Sequence, residues 1–157
     1  MSSSVAIKLV TTPRYHLWLD ALHARFLAMK TTDDWNRGTY IRWAVTTAWS
    51  VLEICCIDAL SLGGVRIGDR FKEKMKTELS NKGLSAIDWG SGVWQEVLEL
   101  KKFRDEFTHI SIPQEKLWPE IEIANGAIET IRNAVKEIYR ISDKDIPEWI
   151  DDDGEAI

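Results

Sequence analysis

The chain has 157 residues, of which 45% are hydrophobic and eight are tryptophan, so it is long enough for one well-buried domain and too short for two of ordinary size. Its formal charge of −5 is uneven, because the segment from Asp143 onward carries seven acids and one lysine and leaves the rest at +1. Because the rest of the chain is nearly neutral, it has no overall positive potential that would attract nucleic acid. Any contact with RNA must therefore be confined to a local site.

The sequence predicts neither a targeting segment nor a membrane span. Residues 1–5 lack the basic flank and apolar run of a secretory signal. The longest apolar region, residues 44–62, is interrupted by Glu53 and Asp58 and fails as a membrane span. We therefore expect a cytoplasmic protein that does not associate with membranes.

Apolar residues three and four apart predict two long helices at the start of the chain. The first covers about residues 14–30 after Pro13, and the second runs from an N-cap at Asp33 to about Leu62, before two glycines. The predicted apolar face of the first helix comprises Tyr15, Trp18, Leu19, Leu22, Phe26 and Met29. Adjacent Cys55 and Cys56 lie inside the second helix and are expected to be a reduced core pair.

Three further helices follow in the same pattern. A short one after Asp69 buries Phe71, Met75 and Leu79 and closes at residues 81–83. A fourth begins after a glycine-rich break at residues 90–92 and must stop before Pro113, and a fifth repeats apolar residues from Leu117 to Ile138. No alternating strand pattern competes, so we predict an all-α antiparallel bundle of about five helices.

The C-terminal segment is acidic and contains Pro147. We predict a helical domain over residues 1–142 and an acidic tail over residues 143–157, which either docks through Trp149 and Ile150 or stays mobile. Its charge and proline predict a small contribution to the core, so truncation after Ser142 is expected to leave the fold intact.

Arg104 interrupts the apolar stripe of the fourth helix, where Val93, Val97, Leu100 and Phe107 are its neighbours. A guanidinium cannot be neutralised, so on such a face it must be paired or must face a cavity, an interface or an anionic ligand. His109 follows at the helix end and lies four residues after Asp105, which could hold the imidazole's tautomer. Arg104 and His109 are roughly 140° apart on an ideal helix, so they reach one atom only if the helix end unwinds or two chains contribute.

An arginine, a polar residue and a histidine in this spacing, inside an all-α chain, resemble the HEPN superfamily over roughly residues 33–141. The resemblance implies a four- to five-helix bundle, commonly a homodimer, and in many members a metal-independent ribonuclease or toxin with a composite cleft. It implies that Arg104 polarises the scissile phosphate and that His109 acts as general acid or base. Asp105 stands where many members carry Asn, and Lys101 and Thr108 are candidate substrate-binding residues.

The predicted function is therefore a metal-independent endoribonuclease, a toxin or defence effector, acting on RNA as a homodimer. It requires no cofactor, and an antitoxin-like protein is a candidate partner. The alternative is a non-catalytic HEPN-like module that binds a protein or nucleotide, with Arg104 in a structural ion pair. Glu53 is a candidate acid for that pair, although it continues a polar stripe through Arg42, Thr46 and Ser50 and is at least as well explained by solvent exposure.

Two other patterns have simpler interpretations. His16, Asp20 and His23 have the spacing of a metal site, but their helix carries a complete apolar stripe elsewhere, which favours a solvated polar face. We predict no metal. Trp89 and Trp94 are expected in the core or lining a cleft beside the Arg104 helix.

Overall fold

The computed structural model describes residues 12–64, 67–108 and 118–154, and within these residues all regular secondary structure is helical, without strands. The five α-helices are α1 (Pro13–Lys30), α2 (Asp34–Ala59), α3 (Phe71–Asn81), α4 (Gly92–Thr108) and α5 (Ile121–Ile141). Short 3₁₀ turns occupy Gly68–Arg70 and Glu148–Asp151. The predicted all-α class is confirmed. None of the described helices combines the length and apolar character needed to cross a membrane.

Helix α2 is the centre of the bundle. It packs against α1 and α5 along its length and against α4 as well. Its start is fixed by the predicted N-cap, since Asp33 Oδ1 accepts a hydrogen bond from the backbone N–H of Asn36 at 2.7 Å. Cys55 and Cys56 are both buried and free, as expected of a reduced pair in the core.

The predicted buried face of α1 is wrong at its C-terminal end, because Phe26 and Met29 are exposed. The residues that α1 buries are Trp18, Ala21, Leu22, Ala24 and Ala28. Helix α1 contacts α2, α5 and the turn at Glu148–Asp151, and alanines allow this close approach on several sides. A ranking of residues by hydrophobicity misses such a face, because alanine contributes little to the apolar pattern.

Helices α3 and α4 extend the core through a row of aromatic contacts. As predicted, α3 buries Phe71, Met75 and Leu79. Ring centroids are 5.1 Å apart between Trp49 and Phe71, 6.0 Å between Phe71 and Trp89, and 5.5 Å between Trp89 and Trp94. Trp89 and Trp94 are therefore core residues. The predicted positions of Leu117 and of the end of the fourth helix lie outside the described residues.

The acidic C-terminal segment packs onto the bundle. Ile150 is completely buried and Trp149 nearly so, and the Trp149 ring lies 6.4 Å from Trp18 and 5.9 Å from Tyr15. Of the two behaviours predicted for the tail, docking is the one observed. The expectation that this segment contributes little to the core is wrong, because its two apolar side chains complete the packing around α1 and α5.

Arg132, a buried residue of α5, holds the C-terminal segment by its backbone. Its Nε donates to the carbonyl of Ile150 at 2.8 Å, and its Nη2 donates to the carbonyl of Asp152 at 3.0 Å and to the Asp153 carboxylate at 3.1 Å. Its guanidinium also lies over the Trp18 ring at 5.6 Å. The acidic charge of this segment is thus partly neutralised where it meets the bundle.

Candidate functional site

Arg104 projects from α4 toward α2 and is partly buried, with 18% of its side chain exposed. Its guanidinium carbon lies 5.6 Å from the centroid of the Trp49 ring on α2, a cation–π distance. The apolar stripe predicted around it is present, because Val97 and Leu100 are buried. The arginine sits at the edge of the core, where a charged group keeps access to solvent.

Two carboxylates flank this guanidinium. Nη1 donates to Asp105 Oδ1 at 2.7 Å, while Nη2 lies 3.6 Å from Glu53 Oε1, within ion-pair range and beyond hydrogen-bond range. Glu53 Oε1 also accepts a hydrogen bond of 2.7 Å from the indole N–H of Trp49. Of the two interpretations of Glu53, solvated residue or ion-pair partner, the structure shows the ion pair.

Asp105 links Arg104 to a second cation. Its Oδ2 accepts a hydrogen bond of 2.7 Å from Lys101 Nζ, so one carboxylate contacts two candidate site residues. With Glu53 included, these four side chains carry two positive and two negative charges and balance one another. The Thr108 hydroxyl donates to the backbone carbonyl of Asp105 at 3.1 Å, so it bonds the last turn of its own helix.

His109 lies outside the described residues, as does the segment from 110 to 117. The structure thus brings together Arg104, Asp105 and Lys101 and adds Glu53 and Trp49 to them. The relation of Arg104 to His109, and the sharing of a site between two chains, stay predictions.

A second polar cluster, which the sequence did not predict, lies at the C-terminal end of α2, around Asp58, five residues beyond Glu53. Tyr139 donates a hydrogen bond of 2.5 Å to Asp58 and accepts one of 3.1 Å from Arg14, which also pairs with Asp58. Burial raises the pKa of Tyr139 above its usual range and raises the pKa of neighbouring Cys55 to about 12. This cluster borders a cavity of about 490 Å³ whose walls include Trp149. The only sequence feature that could have indicated this cluster was Asp58, which lies within the apolar region of residues 44–62.

The histidines of α1 take part in aromatic contacts. His23 is exposed and lies 6.5 Å from both Phe26 and Trp43, measured between ring centroids. His16 is exposed and Asp20 is half-buried. Within the described ranges, no group of three histidines, cysteines or acids is arranged to hold a metal ion.

No protein-family model, curated protein or solved structure matched the chain. Arg104, its carboxylate partners and their distances are therefore the features on which a functional proposal depends.

Proposed function

We propose that the protein is a metal-independent endoribonuclease of the HEPN type, a homodimer in which Arg104 and His109 of two chains form one site. The observation that carries this proposal is the placement of Arg104 at the edge of the core. The Trp49 ring and the Glu53 carboxylate hold its guanidinium in one orientation. A cation fixed before the substrate arrives needs little reorganisation to stabilise negative charge in a transition state.

The proposed reaction uses the ribose 2′-hydroxyl as the nucleophile. His109 removes its proton, the 2′-oxygen attacks phosphorus, and the bond from phosphorus to the 5′-oxygen breaks as that oxygen takes up a proton from water. The products are a 2′,3′-cyclic phosphate and a 5′-hydroxyl, and Arg104 stabilises the charge that develops on the phosphate oxygens. Two chains are invoked because Arg104 and His109 diverge by roughly 140° on one ideal helix.

Cleavage of single-stranded RNA in the presence of a chelator tests this proposal. His109→Ala and Arg104→Ala are each expected to abolish cleavage, and growth arrest if the protein acts as a toxin. Arg104→Lys should be nearly as damaging, because a point charge does not reproduce the planar guanidinium on phosphate.

His16→Ala and Arg140→Ala are matched controls, because both side chains are exposed on other helices. Both controls should retain cleavage. A requirement for magnesium, products lacking the cyclic phosphate, or cleavage that survives His109→Ala would each contradict the mechanism.

One observation favours the second candidate, a non-catalytic module that binds a protein or nucleotide. Asp105 already occupies both Arg104 and Lys101 at 2.7 Å, so a phosphate would have to compete with that carboxylate. This candidate predicts binding of a labelled RNA, nucleotide or protein partner that Arg104→Ala weakens, with no product formed. Fluorescence anisotropy alongside the cleavage assay distinguishes the two candidates.

A further inference from the structure

One stripe of α2 is exposed in its first half, from Trp35 to Trp43, and partly exposed in its second half, from Thr46 to Glu53. Its residues are Trp35, Thr39, Trp43, Thr46, Ser50 and Glu53, which fall within about 80° of arc at 100° per residue. None of them is fully buried, whereas the faces of α2 that pack against α1 and α5 are. Tryptophan on such a stripe is unusual, because an exposed indole leaves a large apolar area in water.

Aromatic residues from other parts of the chain extend this stripe. Trp118, just before α5, lies 5.6 Å from Trp35, and His23 of α1 lies 6.5 Å from both Trp43 and Phe26. The exposed fractions are 65% for Trp35, 48% for Trp118, 43% for Phe26 and 40% for Trp43. These four are most of the exposed large hydrophobic residues in the described part of the chain. We call Phe26, Trp35, Trp43 and Trp118 the aromatic face.

We propose that a second copy of this chain packs on the aromatic face. An aromatic side chain buries roughly 150–250 Å², so the exposed fractions amount to roughly 300–500 Å² per copy. A stable interface of ordinary size buries about 800 Å² per partner, with a hydrophobic centre and a polar rim. The aromatic face thus supplies about half of such an interface, and the part that carries most of the binding energy.

The charges beside the aromatic face fit a copy of the same chain better than they fit nucleic acid. Lys30 lies over the Phe26 ring at 5.5 Å, Arg42 donates to the Thr39 hydroxyl of the stripe at 3.4 Å, and the stripe ends at the Glu53 carboxylate. Both signs are therefore present along this surface, as a two-fold interface requires when a surface must complement itself. A surface built for RNA would carry an excess of cations.

The stripe of α2 that carries Trp35 and Trp43 of the aromatic face also reaches the candidate site. The stripe that begins at Trp35 ends at Glu53, which pairs with Arg104. A two-fold axis crossing this stripe places the site residues of both copies along one shared surface. This last step rests on the proposed nuclease function, whereas the assignment of the interface does not.

Sedimentation velocity over a concentration series tests the assignment. The wild-type protein is expected to be a dimer at micromolar concentration, with acrylamide quenching of tryptophan fluorescence that falls as the dimer forms. Trp35→Ser and Thr39→Glu should each raise the dimer dissociation constant by roughly 30-fold or more, the change expected for a residue at the centre of an interface.

Thr77→Glu is the matched control for Thr39→Glu. Both threonines are exposed on helices, and each hydroxyl donates to the carbonyl four residues earlier, at 3.0 Å for Thr77 and 3.2 Å for Thr39. Thr77 lies on α3, which carries none of the residues of the aromatic face, so Thr77→Glu should remain a dimer. Circular dichroism establishes that each variant is folded, and Thr39→Glu provides a surface variant if Trp35→Ser does not fold.

Three results would overturn the assignment. They are a wild-type monomer throughout the concentration series, an unchanged dissociation constant in folded Thr39→Glu, and a monomer whose binding of single-stranded RNA depends on Trp35. A dimer that Thr39→Glu dissociates but that never cleaves RNA would support the interface and refute the nuclease. A dimer that cleaves RNA but that folded Thr39→Glu does not dissociate would do the reverse, and cleavage by a monomer would refute both the interface and the composite nuclease site.

Discussion

Ile150→Ala is expected to destabilise the protein even though Ile150 lies in the acidic C-terminal segment. The side chain is completely buried, and its backbone carbonyl accepts a hydrogen bond of 2.8 Å from Arg132. Removing a buried isoleucine to alanine costs about 2–5 kcal/mol, because apolar contact is lost and a cavity remains. A domain of this size has a free energy of unfolding of about 5–15 kcal/mol, so the loss is a large fraction of the total.

Urea denaturation followed by circular dichroism measures this loss. The midpoint should fall while the dependence of free energy on urea stays constant, because the folded state is the same. Ile146→Ala is a matched control in the same segment, since Ile146 is only partly buried and should cost less. A change below about 1 kcal/mol for Ile150→Ala, smaller than any in the range for buried isoleucine, would refute the packing argument.

Truncation after Ser142 extends the same reasoning and reverses the expectation from sequence. The deletion removes Trp149 and Ile150 together and takes from Arg132 the carbonyl acceptors that it uses in the bundle. A buried guanidinium without acceptors is costly, so the truncated chain should lose cooperative unfolding. A truncated protein that unfolds with the wild-type midpoint would show that this segment is dispensable.

Three further outcomes are expected. Asp105→Asn should tighten binding of RNA, because the substitution removes the negative charge that now occupies Arg104; unchanged or weaker binding in a salt titration would contradict this. Hydrogen bonding from arginine lowers the pKa of Asp153, so its contribution to stability is present above the ordinary aspartate pKa of about 3.9 and is lost as the pH falls through the lower folded-state value. Urea midpoints measured across that acidic range should fall more for the wild type than for Asp153→Asn. Cys55 and Cys56 should not react with a thiol reagent at neutral pH until the protein is unfolded, because both are buried and the pKa of Cys55 is raised to about 12; rapid labelling of the folded protein would contradict this.

The sequence alone was sufficient for the features that depend on near neighbours in the chain. The period of apolar residues predicted five helices, and Asp33 marked the start of α2 because a cap acts within three residues. The position of Arg104 within an apolar stripe identified it as a paired or functional residue, since a guanidinium cannot be buried alone. These inferences hold because helical geometry relates positions three and four residues apart.

The tertiary structure decided which elements pack together, and those contacts assigned several residues roles that differ from the roles expected from sequence. Glu53 became a partner of Arg104, and Arg132 became the anchor of the C-terminal segment, through contacts between residues distant in sequence. Phe26 was left exposed although it belongs to an apolar pattern, because α1 is approached on its alanine side. Pairing and burial depend on how close two helices come, and no local pattern encodes that distance.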